Sequence, residues 1–470
     1  MRELDDIVLR GILAGAIGPE RAGVAVEAFH RPASVSVRVN PFKVADPGSF
    51  AKAHFGTDVR NVPWSPCGFM LEERPRFTLD PLFHCGCYYV QDSSAMAVGE
   101  IFRNILSDFR DSGRPLRVLD LCAAPGGKST DLAASLRTAF GDGFLLVSNE
   151  VMRSRVSVLA DNIAVWGDPN VVVTSVDPKA FARLEGFFDI IVTDVPCSGE
   201  GMFRKNDLAA GEWSEGAVLA SARRQAQILR NAAPLVAQGG TLLYSTCTYS
   251  TEENEETVDA FLSSHPEYRL VSAAKEVCAV TAAGVVPTGA ETATLSDCRR
   301  FYPHRAPGEG QFIAVLRRVS GAKTPSILYK DASLPLSKEE NALLESFLSS
   351  ALEKIPPLVF RRQGENIVAL PYAFPIPKAS VFSAGVTVGR AEKGRLVPHH
   401  QFFSAYGNLF REKVDLASDD PRLFSYLHGE EIVSEGGGGY VALLCDGIPL
   451  GGGKRVGDKI RNYYPKGLRT

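Results

Sequence analysis

The sequence predicts an α/β protein built on a mostly parallel sheet, with a smaller β-rich portion at its C-terminus. Three observations carry this. Between residues 116 and 247, five short runs rich in Val, Ile and Leu alternate with helical segments: LRVLDLC, FLLVSNE, NVVVTSVD, FDIIVTD and TLLYSTC. Near-continuous apolar strands separated by helices imply a parallel sheet covered on both faces. Each run also ends in a polar or reactive group: Asp120 to Cys122, Glu150, Asp177, Asp194 with Cys197, and Cys247. Ligands of such sheets bind outside the carboxyl ends of the strands, so these endings converge on one edge. Finally, residues 386 to 470 are rich in glycine and short strands.

The elements follow in order. Residues 1 to 30 read as helical, with apolar residues at 8, 9, 12, 13, 24 and 26. SVSVRVNPF (34 to 42) alternates valine with polar residues, a strand ended by Pro41. FHCGCYYVQDSSAMAVGEIF passes from an aromatic strand into a helix whose N-cap is Asp92 or Ser93. The stretch 214 to 238 reads as a long helix, with Gly239-Gly240 as its C-cap signal. TEENEETVDAFLSS (251 to 264) is a helix capped by Thr251 or Ser250, and GQFIAVLRR (310 to 318) a further strand. SGAKTPS (320 to 326) reads as a linker, 337 to 354 as a helix, 371 to 377 as a proline-rich stretch and SEGGGGY (434 to 440) as a loop. The expected divisions are 1–110, 111–319, 320–385 and 386–470.

Composition bounds the class. The chain has 470 residues, 45% hydrophobic and 22% charged, with a net charge of −3. Any nucleic-acid surface must therefore be local. Nine cysteines lie scattered with no secretory leader ahead of them, which does not read as a disulfide framework. No apolar run is long enough to span a bilayer. The expectation is a soluble, cytoplasmic monomer of a reducing compartment, with no metal site and no membrane partner.

LDLCAAPGGKST (119 to 130) is a strand, a glycine turn and a helix start. Gly126 and Gly127 permit close approach of a ligand, and the helix start offers amide donors. A phosphate loop would need glycine where Cys122 stands, so that reading fails on one residue. S-adenosylmethionine fits better. Glu150, ending the second strand, can accept from both ribose hydroxyls. Asp177 can accept from the adenine amino group, and Asp194 can meet the amine or the substrate. Taken singly, each acid could equally cap a helix or face water.

Cys197, in TDVPCSGEGM, and Cys247, in YSTCTYSTEENE, each follow a strand on the ligand edge. Cys67, Cys85, Cys87, Cys278, Cys298 and Cys445 read as small packing residues. Methylating carbon 5 of a pyrimidine needs a thiolate on carbon 6, a proton donor to the ring and a base to take the carbon 5 proton. Either cysteine could be the nucleophile.

LDLCAAPGGK, DVPCSGEGMFRK and YSTCTYSTEENE resemble the motifs of the Sun/Fmu-type RNA 5-methylcytosine methyltransferases, in the same order, across residues 34 to 318. SVRVNP, YVQDSSAM (with Ser93 where proline is common) and RRFYPHRAPGEGQFIAVLRR extend the likeness. The tail GGGKRVGDKIRNYYPKGLR resembles the bacterial 16S ribosomal RNA methyltransferase F group, with Gly452 in place of a frequent aromatic. The resemblance implies a Rossmann-like S-adenosylmethionine-dependent methyltransferase core with a mostly parallel seven-stranded sheet. It adds an N-terminal α/β extension that contacts RNA and a C-terminal PUA-like β-rich RNA-binding domain. It implies that Cys247 attacks carbon 6, that Cys197 assists release, and that Asp194 bonds the cytosine near N3. It implies that Cys122, Ala123, Ala124, Pro125, Gly126, Gly127, Lys128, Glu150, Asp177 and Asp194 hold S-adenosylmethionine.

The implied substrate is a cytidine of 16S ribosomal RNA, in the decoding region of the small subunit. The alternatives are a transfer RNA methyltransferase, a non-catalytic RNA-binding assembly factor and a nucleoside-triphosphatase. Three basic clusters are candidate RNA contacts: Arg204 with Lys205, Arg299 with Arg300, and Lys454 with Arg455 in a tail that also carries two tyrosines.

Overall fold

Every one of the five apolar runs forms a strand, and all five pair in parallel. They are β1 (Leu116–Asp120), β2 (Phe144–Asn149), β3 (Val171–Thr174), β4 (Phe188–Asp194) and β5 (Val236–Thr246), in the spatial order β3-β2-β1-β4-β5. The register sets Asp120 opposite Ser148 and Val192, and Asp194 opposite Ser245. Strand β6 (Gln311–Arg318) runs antiparallel beside β5, and Tyr268–Val271 pairs with β6. These seven strands form the expected core. The sheet is wider, at ten strands among the described residues: Arg299–Phe301 and Ala282–Ala283 extend one edge, and Val381–Ala384 pairs antiparallel with β3 at the other. This computed structural model describes residues 3–110, 113–205, 207–273, 275–321, 334–371 and 381–470.

Alternation of side chains across each strand divides the interior in two. Val118, Leu146, Ile190 and Leu243 face helices α1 (Gly127–Phe140) and α2 (Arg153–Trp166) and the helix Met96–Leu106. Leu119, Val147, Ile191 and Leu242 face α3 (Glu215–Ala232) and α4 (Glu255–Ser264). Each such side chain, fully withdrawn from water, contributes roughly 1.5–3 kcal/mol. Burial on both faces explains why the runs are continuously apolar.

Several local expectations are corrected. The Gly239-Gly240 pair does not cap α3, which ends at Ala232 and passes through a short 3-10 turn into β5. The glycines lie inside β5, where the register against β4 shifts. Neither Asp92 nor Ser93 caps the helix Met96–Leu106, whose N-cap is Ala95; Asp92 instead accepts from the Ser94 and Glu309 amides. Helix α4 starts at Glu255 with Asn254 as N-cap, because residues 251–254 form a turn.

The N-terminal portion is two helices, Glu3–Ile17 and Pro19–Phe29, and a four-stranded antiparallel sheet built around Val35–Val39. After the central sheet come the helix Lys338–Ala351, with a Ser337/Glu340 capping box, and a four-stranded sheet from Val359 to Pro398. That sheet runs through the expected division at 385/386, because Asn366–Leu370 pairs with Val386–Glu392. A final five-stranded sheet covers Lys413 to Asn462. There Phe403 presses on Gly452: a Cβ at 452 would lie 2.3 Å from its ring, so the ring excludes a side chain at that position. Except for residues 320, 321 and 371, the expected linker at 320–326 and the proline-rich stretch at 371–377 lie outside the described residues.

Among the described residues no helix is long and apolar enough to cross a membrane. All nine cysteines are free thiols; Cys85, Cys87, Cys298 and Cys445 are buried, Cys67 and Cys278 half-buried.

Candidate active site

The carboxyl ends of β1, β2, β4 and β5 open on a cavity of about 1040 Å³, which Cys122, Glu150, Asp177, Asp194, Cys197 and Cys247 line together. Six residues drawn from a span of 126 positions in sequence thus meet at one edge, because parallel strands all deliver their C-terminal ends to the same side.

The turn after β1 is gripped on its carbonyl side. Arg155 Nη2 donates to Ala124 O (2.7 Å), Asn162 Nδ2 to Pro125 O (2.7 Å) and Arg38 Nη2 to Gly127 O (3.0 Å). Gly126 has φ of +115°, a conformation that suits glycine, and a Cβ on Gly127 would lie 3.1 Å from the Tyr89 ring. Cys122 and Ala124 line the cavity; Ala123, Pro125, Gly126, Gly127 and Lys128 stand behind it. Burial pushes the Cys122 thiol up, in keeping with a packing residue.

Glu150 is almost fully buried, accepts from the Met152 amide (2.9 Å) and lies 3.5 Å from Arg155 Nη1. Asp177 caps the following 3-10 turn through the Lys179 amide (2.9 Å) while also lining the cavity. Asp194 is the most connected of the acids. It binds Lys128 Nζ at 2.7 Å, Ser245 Oγ at 2.8 Å and Gln311 Nε2 at 3.2 Å.

The two cysteines face each other with sulfurs 3.3 Å apart. The hydrogen bond with Cys247, and then burial, push the Cys197 thiol well above its ordinary value. Burial works against the charge on Lys128, but Asp194 and then Cys247 more than offset it and raise its pKa.

Some contributors escaped the sequence reading. Asn149 ties three strand ends together, donating to Leu121 O and Val176 O and accepting from Thr174 Oγ1. Asp120, by contrast, was among the strand endings the sequence pointed to; it lies fully buried behind the site, bonded to Ser129 Oγ at 2.7 Å. Glu253, Asn254 and Gln225 are completely buried around the cysteine loops. Polar residues inside a strand-end loop were the available signal; their partners are distant in sequence.

The basic residues expected to contact RNA are placed as follows. Arg300 is buried in a two-pronged ion pair with Glu255 and donates to Tyr249 O. Arg204 is half-buried against Glu309 (2.6 Å) and Ala28 O. Arg455 is buried against Glu412 (2.7 Å) and Gly437 O. Half-buried Arg299 donates to Thr281 Oγ1. Each guanidinium is committed to the protein interior, where it neutralises an acid or satisfies a carbonyl. Lys205 bridges Asp92 and Glu309 with a quarter of its side chain exposed, and Lys454 lies 5.8 Å from the Tyr440 ring.

Three family models match the chain: residues 111–317 a model described as 16S rRNA methyltransferase RsmB/F, residues 16–93 the N-terminal domain of 16S rRNA methyltransferase RsmF, and residues 413–470 the methyltransferase RsmF PUA domain. The last begins after the Val359–Pro398 sheet. The ribosomal RNA small subunit methyltransferase F of Cronobacter sakazakii is 31% identical over 468 residues, covering 95% of this chain and 93% of that protein. That of Vibrio vulnificus is 30% identical over 453 residues, covering 93% and 92%. Among solved structures, a methyltransferase homolog protein from Pyrococcus horikoshii is 26% identical with a TM-score of 0.54, over 65% of this chain and 92% of that one. NSun6 from the same organism, at 20% identity and a TM-score of 0.52 over 67% of this chain and 98% of that one, shares the fold.

Proposed function

The chain belongs to the 16S rRNA methyltransferase RsmB/F family, and on that premise we propose that it methylates carbon 5 of a cytidine in small-subunit ribosomal RNA through a covalent adduct with Cys247. The observation that carries this reading is the 3.3 Å approach of Cys197 and Cys247 at the edge of the strand-end cavity, beside the Lys128–Asp194 pair.

The residues present fit S-adenosylmethionine, the methyl donor. The cavity carries the buried Glu150 carboxylate, the Asp177 carboxylate and a turn whose carbonyls are already taken by Arg155, Asn162 and Arg38. Cys122, Ala124, Glu150, Asp177 and Asp194, which line the cavity, would contact it, and the rest of the turn from Cys122 to Lys128 would shape the wall that holds it. When bound it supplies an electrophilic methyl group.

Carbon 5 of cytosine is a poor nucleophile until carbon 6 carries a thiolate. In this reading Cys247 forms the bond to carbon 6, and the ring's electron pair moves toward carbon 5. Lys128, held cationic, stabilises the charged sulfur. Asp194 takes a hydrogen bond near N3 of the ring. After methylation a base, here a water molecule admitted to the open cavity, takes the proton from carbon 5. That C–H electron pair re-forms the carbon 5–carbon 6 double bond, the carbon 6–sulfur bond breaks, and its pair leaves on Cys247 as the thiolate. Cys197, its sulfur 3.3 Å from that of Cys247, assists that release. The target base must leave its stack to reach the cavity.

The test is methylation of unmodified 16S rRNA and of 30S subunits by the purified protein, read by bisulfite sequencing. Wild type is expected to protect a cytidine from conversion. Cys247→Ala is expected to lose this while still binding S-adenosylmethionine; Cys197→Ala is expected to accumulate a protein–RNA adduct on a denaturing gel. Adduct with Cys247→Ala would reverse the two roles, and protection appearing only in transfer RNA would replace the substrate.

A further inference from the structure

Both cysteines sit on loops, yet their sulfurs are held 3.3 Å apart, and the hydrogen bonds show what holds them. Cys197 is gripped through its two neighbours. Pro196 O accepts from Gln225 Nε2 at 2.9 Å, and the Ser198 amide donates to Glu253 Oε2 at 3.2 Å. The two gripping side chains are themselves joined, Gln225 Nε2 to Glu253 Oε2 at 2.6 Å. Ser198 Oγ also bonds Glu253. The Tyr244 hydroxyl braces the pair from β5, 3.1 Å from Gln225 Oε1.

Cys247 is gripped the same way by the next residue along the chain. Asn254 Oδ1 accepts from Thr246 Oγ1 at 2.7 Å, and Asn254 Nδ2 donates to Thr248 O at 3.0 Å. Thr246 and Thr248 are the two neighbours of Cys247. The turn itself is anchored by the third residue, Glu255, whose carboxylate is clamped by Arg300 and accepts from the Val285 amide at 2.9 Å. Glu253, Asn254 and Glu255 are all wholly withdrawn from solvent. Three consecutive polar residues are thus buried at full desolvation cost, and each is satisfied by a different partner. A turn that needed only to connect β5 to α4 would not require them.

We propose that Glu253 and Asn254 are paired positioning residues that set the geometry of the two cysteines, Glu253 through the Cys197 loop for release and Asn254 through the Cys247 loop for addition. This rests on the reading in which Cys247 adds and Cys197 releases. Two adjacent residues on one turn couple the two loops, so the sulfur separation is fixed by a single short segment. Burial first, with Glu200 close by, raises the Glu253 carboxyl to about 7, so its grip on the Ser198 amide also responds to pH near neutrality.

The test uses the full chain, S-adenosylmethionine and unmodified 16S rRNA in single turnover. It follows adduct formation and product release separately on denaturing gels. Two variants probe each arm. Glu253→Gln offers one oxygen where three donors converge, and Gln225→Met removes the grip on Pro196. Asn254→Ala and Thr246→Val open the other grip. Calorimetric binding of S-adenosylmethionine and the thermal midpoint show that the variants fold.

Displacement by an ångström can slow a positioned reaction about 100-fold. Glu253→Gln and Gln225→Met are accordingly expected to form adduct at the wild-type rate but release it about 10- to 100-fold more slowly. Asn254→Ala and Thr246→Val are expected to form adduct about 10- to 100-fold more slowly and to accumulate none. Equal slowing of both steps in all four variants, or no slowing in any, overturns the inference. Cys197→Ala and Cys247→Ala run on the same gel separate the two levels. If they show the expected adduct pattern while the four variants do not, the positioning roles fail alone; if they do not, the assignment of the two cysteines fails and the positioning roles with it.

Discussion

Asp120 shows how much one carboxyl can carry. It ends β1 with no solvent exposure, one oxygen on Ser129 and the other without a partner among the described residues. Burial raises its pKa from 3.8 to about 7. A raised carboxyl pKa means that the folded state keeps a proton which the unfolded chain gives up near pH 4. The contribution to stability is therefore full at low pH, declines as pH rises from about 4 to 7, and is gone above. Over that window it amounts to at most about 4 kcal/mol. Asp120→Asn has no proton to lose. It is expected to be more stable than wild type at pH 8, with the advantage shrinking toward pH 5. Urea unfolding of both proteins at the two pH values checks this, and parallel pH dependences would contradict it.

Strand β5 shows where an element's sequence signals become ambiguous. A glycine pair after a helix reads as a C-cap, yet here it lies within β5, where the register against β4 shifts. Gly239 has φ of +78°, and a Cβ on Gly240 would lie 2.6 Å from Asp189 O of β4. Gly240→Ala must push the two parallel strands apart. It is expected to destabilise the fold by about 1–3 kcal/mol in urea melts. The parallel strands themselves were legible, because burial on both faces forces a run of Val, Ile and Leu. The two cysteines were legible because each lies within three residues of the end of such a run. The fates of Arg204 and Arg300 were not. Their acidic partners lie 105 and 45 residues away, and charge in a sequence does not say whether it is exposed or neutralised inside. Asn149 and Gln225 were missed for the same reason: each is satisfied only by groups that the fold brings together.

At the scale of the whole molecule, the two ends of the chain share one core. Val37, Phe69 and Tyr88 of the N-terminal sheet pack in one cluster with Leu423, Tyr426 and Leu443 near the C-terminus, and Tyr464 bonds His84 at 2.7 Å. The N-terminal portion reaches the donor turn through Arg38, so the C-terminal portion supports the site through two interfaces. Cutting the chain at 386 would break the Val359–Pro398 sheet and uncover that shared core, so loss of RNA binding on truncation would not isolate an RNA contact. Surface charge is the cleaner probe. With a net charge of −3, affinity for RNA has to come from local cations. Buried Arg455 is spoken for by Glu412, but Lys459 and Arg461 on the same hairpin are exposed and Lys454 is half-exposed above Tyr440. The triple variant Lys454→Ala, Lys459→Ala, Arg461→Ala is expected to weaken binding to 16S rRNA while leaving S-adenosylmethionine binding unchanged. Removing a cation that neutralises one phosphate should flatten the dependence of log affinity on log salt by roughly 0.7–0.9, so a fall of roughly 2.1–2.7 in slope corresponds to all three. A salt titration that gives wild-type slope would show that the C-terminal hairpin does not touch the RNA backbone.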